Sequence, residues 1–97
     1  MSTGKLAEGF LALSAELTGF SVFDLRGTGE SDAYLDAVTG VVGEALVAGL
    51  IEAHGQLETA GDRQGEIRRS ILGDPRFGPV ARNIIKMWFS GVWYALP

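Results

Sequence analysis

Residues 74–97 read Asp74-Pro-Arg-Phe-Gly-Pro-Val-Ala-Arg-Asn-Ile-Ile-Lys-Met-Trp-Phe-Ser-Gly-Val-Trp-Tyr-Ala-Leu-Pro97. The stretch opens with helix-start chemistry: Asp74 can cap, and Pro75 or Pro79 can sit in the first turn, where a missing N–H costs nothing. From Val80 the apolar residues Val80, Ile84, Ile85, Met87 and Trp88 recur at three- and four-residue steps, the period of a helix with one buried face. Gly91 supplies a stop. Beyond it Val92, Trp93, Tyr94 and Leu96 carry a large apolar load that must be covered by this domain or by another chain.

Working back along the chain, the same period repeats. Leu6, Phe10, Leu13 and Leu17 fall on one stripe and predict a helix over 5–18, stopped by Gly19. Phe20, Val22, Phe23 and Leu25 read as an irregular apolar connector whose side chains plug the gap between the first helix and the rest. A second helix is predicted over 30–42, with Gly40 inside it. Glycine there costs roughly 1 kcal/mol against alanine, which suggests a helix packed closely against that point. Gly43 ends or kinks this helix, and a third follows over 44–54, with Leu46, Val47, Leu50 and Ile51 buried and Gly55 as its stop. Residues 56–64 are the polar low point and read as a loop. A fourth helix is predicted over 63–72, ended by Gly73. No strand-period alternation and no internal repeat is visible. The fold class is therefore all-α: one domain over 1–97, a compact bundle of about five short helices.

Composition narrows the function. The 97 residues hold no cysteine and one histidine, and 46% are hydrophobic. No apolar run approaches the roughly 18 residues of a membrane span, so no transmembrane segment is expected and the apolar excess belongs to a core or an interface. Up to Asp62 ten acidic residues face two basic ones, and from Arg63 onward six basic residues face two acidic ones. The net charge of −4 argues against nucleic acid as a partner. No basic segment followed by an apolar one marks a secretory signal at the start.

Candidate chemistry is sparse. His54 lies near the end of the third predicted helix, where the dipole favours its charged form and where it reads as a terminal cap. With no second histidine and no cysteine, no metal site can be assembled around it. Asp32 and Asp36 share one helix face and read as solvent-exposed. Gly27-Thr28-Gly29 lacks the strand before it and the lysine after it that a phosphate loop requires, and reads as a helix cap in which Thr28 or Ser31 accepts the first N–H groups. Ser14, Ser21, Ser70 and Ser90 have no evident base. The chain is expected not to be an enzyme, with no catalytic residue, no cofactor and no dinucleotide fingerprint of its own. The aromatic end is different. If Ile84, Ile85 and Trp88 face the core, then Phe89, Trp93, Tyr94 and Leu96 are left for a partner, with Arg82 and Lys86 flanking them with charge.

Several stretches carry a family likeness. Phe10-Leu-Ala-Leu-Ser-Ala-Glu-Leu-Thr-Gly-Phe20, Gly27-Thr-Gly29, Tyr34-Leu35, Val42-Gly43 and Arg82-Asn-Ile-Ile-Lys-Met-Trp-Phe-Ser-Gly-Val-Trp-Tyr-Ala-Leu-Pro97 resemble the small (gamma) subunit of bacterial membrane-bound FAD-dependent sugar and polyol dehydrogenases. Members of that family accompany sorbitol, fructose and glucose dehydrogenases. The resemblance implies a non-catalytic helical chaperone and structural subunit. Its partner is a flavoprotein of the glucose–methanol–choline type, which holds FAD and oxidises the sugar, with a cytochrome as electron acceptor. It also implies a periplasmic location beside that partner. The twin-arginine signal common in the family is not present in this sequence, which as it stands reads as cytoplasmic. The second reading is a stand-alone helical protein that forms a homodimer through its aromatic C-terminal segment.

Overall fold

The computed structural model describes residues 2–59 and 61–90. They form six α-helices and no strand: α1 (Ser2–Thr18), α2 (Val22–Gly27), α3 (Ser31–Val42), α4 (Glu44–Gly55), α5 (Arg63–Ile67) and α6 (Phe77–Ser90). A 3-10 turn (Gln56–Thr59) follows α4, and a π turn (Arg68–Leu72) extends α5. The class is the expected compact helical bundle, nearly equal in its three extents at 32 × 31 × 29 Å.

α1 is the central rod, touching α2, α3, α4 and α6. Its stripe does what the spacing requires. Phe10 and Leu13 are fully buried, Leu6 and Leu17 pack at the margins, and Leu11 and Ser14 are buried as well. α3 contributes Leu35 and Val38, and α4 contributes Val47 and Leu50; Leu46, Ile51 and Val42 are only partly covered. Val41 stays exposed.

The connector after α1 is a correction. Residues 22–27 are helical, because Ser21 caps them: its hydroxyl accepts the Asp24 N–H at 3.0 Å. Ser21 with an acid three residues on is a capping signature that the apolar residues around it obscure. Only part of the connector plugs the core. Leu25 is buried and Val22 half-buried, while Phe20 and Phe23 point outward. A helix this short has one side to bury, and its three apolar residues Val22, Phe23 and Leu25 do not all share it.

Gly43 separates α3 from α4. Its φ of 93° is the left-handed conformation that favours glycine, and the two helices bend by 117° there. Gly40 is another correction. It is exposed, and a Cβ at that position would meet nothing within 4 Å, so no close helix crossing explains it.

α6 begins later than its sequence suggests. Asp74 Oδ1 accepts the N–H groups of Arg76 at 2.7 Å and Phe77 at 3.2 Å, so Pro75 and Arg76 form the capping turn and the helix starts at Phe77. The Arg76 guanidinium lies over the Phe77 ring. The buried face of α6 is Phe77, Val80, Ala81, Ile84 and Met87. Ile85 was expected on this face but is half-buried, because one residue rotates a helix by about 100°. Trp88 packs against the core edge, its ring 4.7 Å from Tyr34 in a T-shaped contact.

Candidate partner interface

The outer side of α6 carries Arg82, Lys86 and Phe89, three of the six residues expected at a partner surface. They stand at i, i+4 and i+7, so one exposed face holds all three. Phe89 is 62% exposed. Arg82 is tethered at its guanidinium, which donates to the Leu72 carbonyl at 3.2 Å. Trp93, Tyr94 and Leu96 lie outside the described residues.

Sequence reasoning missed the other half of this surface. Phe20, in the turn before α2, places its ring 5.0 Å from that of Phe89. Phe23 is 85% exposed, the most exposed large apolar side chain described. Beside it lies an apolar groove of about 280 Å³ between α2 and α6, lined by Phe20, Asp24, Leu25, Thr28 and Trp88. Thr28 is held in place by its hydroxyl, which donates to the Leu25 carbonyl at 2.7 Å and accepts the Glu30 N–H at 3.1 Å. Residues 27–29 are thus the turn between two helices, but the expected cap on the following helix is not made: Thr28 is the C-cap of α2, and the N-cap position of α3 is Glu30, which makes no side-chain capping bond. Ser31 makes no capping bond. The available signal for the patch was the density of apolar residues in 20–25, where Phe20 falls before the helix and Phe23 within it.

A second feature, on another side, corrects the reading of His54. Its side chain is 9% exposed and donates from Nε2 to Glu16 Oε1 at 3.3 Å. It is therefore a buried partner of α1, and its place in the last turn of α4 is secondary. The same Glu16 oxygen accepts from Arg63 at 2.6 Å, and Arg63 also donates to the Leu57 carbonyl. The Arg63 guanidinium holds the Glu16 carboxyl below its ordinary range; burial opposes this and the His54 hydrogen bond adds to it. The trio joins α1, α4 and α5 at the wall of an open cleft of about 570 Å³, whose other lining is small or apolar: Gly9, Ala12, Ala15, Val22, Ile51 and Gly55. Glu16 and His54 are 38 residues apart, and no spacing rule links them.

Asp32 and Asp36 are both exposed. Ser70 donates to Glu66 at 3.2 Å. Among the described residues, no group of three His, Cys, Asp or Glu side chains could hold a metal ion, and no single helix is long and apolar enough to cross a membrane. Comparison with protein-family models, with curated proteins and with solved structures gives no match to this chain.

Proposed function

We propose that this chain is a non-catalytic accessory subunit. It binds and stabilises a larger dehydrogenase subunit of the FAD-dependent, sugar- or alcohol-oxidising type. The docking side is the outer face of α6 together with α2, with Phe89 and Phe20 at its centre, Arg82 and Lys86 on one flank, and Trp93, Tyr94 and Leu96 as the continuation of the same chain end. The observation that carries the binding role is the exposure of Phe23 and Phe89 beside an apolar groove on a 97-residue chain. Clustered exposed aromatics of this size mark interaction surfaces, since each ring left in water forgoes its burial energy. The identity of the partner comes from the sequence resemblance alone. FAD, the sugar site and the electron path belong to that partner, and so does the periplasmic location.

The test is co-expression with a flavoprotein that carries a Gly-x-Gly-x-x-Gly fingerprint and is encoded beside this chain, followed by affinity capture. The expected product is a yellow complex from which the Phe89→Ala chain is lost. A yellow preparation of this chain alone would place the flavin here and overturn the reading.

A further inference from the structure

The cleft beside Glu16, His54 and Arg63 is large enough for a small ligand, and its polar wall is selective. His54 Nε2 and Arg63 both donate to the same oxygen of Glu16, Oε1. Oε2 accepts nothing from the described residues, although a carboxylate can accept at both oxygens. With Nε2 donating, the neutral His54 ring keeps Nδ1 as an acceptor, and no described residue donates to it. His54 lines the cleft and is only 7% exposed, so that nitrogen has little water to turn to. The last turn of α4 borders the cleft through His54 and Gly55 and adds the partial negative charge of a helix C-terminus. The donors, by contrast, are spent. Arg63, the cation in the lining, already donates to Glu16 and to the Leu57 carbonyl.

We propose that this cleft binds a small organic cation: a primary ammonium group on a compact apolar body. An ammonium brings three N–H donors and no acceptor, which suits a wall of free acceptors. Glu16 Oε2 and His54 Nδ1 take two of the donors, and water at the open mouth takes the third. The apolar body lies along Gly9, Ala12 and Ala15, whose small size leaves the room, beside Val22 and Ile51. An anion would meet the Glu16 carboxylate with no donor left to hold it. A neutral alcohol could use the acceptors but would gain less from the surrounding charge. That charge favours a cation: the chain carries −4, and α4 holds Glu44 and Glu52 with no lysine or arginine. The Arg63 charge is offset by the Glu16 oxygen 2.6 Å away. The cleft lies apart from the Phe20–Phe89 pair, so the inference does not rest on the proposed partner.

His54 is the sole histidine, so the proton on its Cε1 gives one NMR signal that reports on the cleft. Benzylamine, an ammonium at neutral pH, is titrated into the full chain at constant pH and should move that signal to saturation. Benzyl alcohol and benzoate keep the ring and change the head group, and each should bind at least about tenfold more weakly. Glu16→Gln should weaken benzylamine by a similar factor. Because that substitution also touches the fold, Ala12→Leu is the second variant. Ala12 is exposed on α1 and leucine is a good helix former, so the parent melting temperature should be kept. The added side chain fills the cleft and should block benzylamine. No saturable shift with benzylamine, equal binding of benzyl alcohol or benzoate, or unchanged affinity in either variant would each overturn the site. Flavoprotein capture is read on a different face, so the two ideas fail separately.

Discussion

Gly9 of α1 and Ile51 of α4 mark a close approach of the two helices: a Cβ placed on Gly9 would run into the Ile51 Cγ2 methyl. Ile51 is β-branched and stiff about χ1, so it cannot swing clear without strain. The α1–α4 crossing also sets the separation of Glu16 and His54 further along the same helices.

Gly9→Ala should therefore destabilise the chain although alanine is the better helix former. Overpacking costs about 1–3 kcal/mol, against a gain of about 1 kcal/mol in propensity. Gly40→Ala offers the control, because its site is open and helical. It should stabilise by about 0.5–1 kcal/mol. Urea unfolding of both variants checks the opposite signs; a stabilising Gly9→Ala would mean that α1 and α4 are not packed as described.

These two glycines also show what the sequence could reveal. Each is predicted inside a helix, and each helix is there. Which glycine lies at a crossing depends on how helices pair, and a single helix's period carries no information about its partner. The same limit applies to α6, where the stripe was legible from Val80 to Met87 but its edge residue Ile85 was not. Phe89 was legible as outward because Ile84 and Trp88 used up the inner face. Phe20 was not, because it lies in the non-helical turn before α2 and its place is set by its ring contact with Phe89 on a distant helix. The Glu16–His54–Arg63 cluster was invisible for a plainer reason: it is assembled from three helices, each of which offers one unremarkable polar residue.

That cluster predicts an acid-dependent stability. The folded Glu16 carboxyl has its pKa lowered from an ordinary value of 4.5, first by the Arg63 hydrogen bond. A depressed carboxyl pKa stabilises the fold above the unfolded value. The contribution is lost as pH falls through the lower, folded value. Glu16→Gln should thus cost about 1–2 kcal/mol at neutral pH. The figure is kept modest because the Glu16 and Arg63 side chains remain 26% and 34% exposed and solvent screens the pair. The variant and parent should converge in stability below the folded pKa. Urea midpoints on either side of pH 4.5 would show it, and a difference that does not shrink in acid would remove the ion pair from the explanation.

The cap on α2 predicts a local effect. Ser21→Ala removes the acceptor for the Asp24 N–H and should cost about 0.5–2 kcal/mol. Much of α2 lies at the surface, so the loss should appear first as faster amide exchange over residues 22–27, with exchange in α1 nearly unchanged. It should also loosen whatever docks on Phe23, since the cap holds the helix that carries it. Unchanged exchange in α2 would mean that Leu25 burial alone holds the helix.

The inner and outer faces of α6 give the sharpest contrast. Ile84 is 1% exposed and surrounded by core, so Ile84→Ala leaves a cavity and should cost about 2–5 kcal/mol of the chain's own stability. Phe89 is 62% exposed and touches Phe20. Phe89→Ala forfeits that ring contact, about 0.5–1.5 kcal/mol at most, and less because both rings are wet. Binding should reverse the order. At a partner surface a central aromatic contributes about 2 kcal/mol or more, so Phe89→Ala should release the flavoprotein while the free chain still melts near the parent temperature. Ile84→Ala should lower the melting temperature but retain the flavoprotein under conditions where it is folded, because it leaves the outer face intact. Measuring melting temperature and flavoprotein retention for the two variants side by side separates core from interface. If Phe89→Ala keeps the flavoprotein as well as the parent does, the outer face of α6 is not where the partner sits, and the α2 groove must be tested without it.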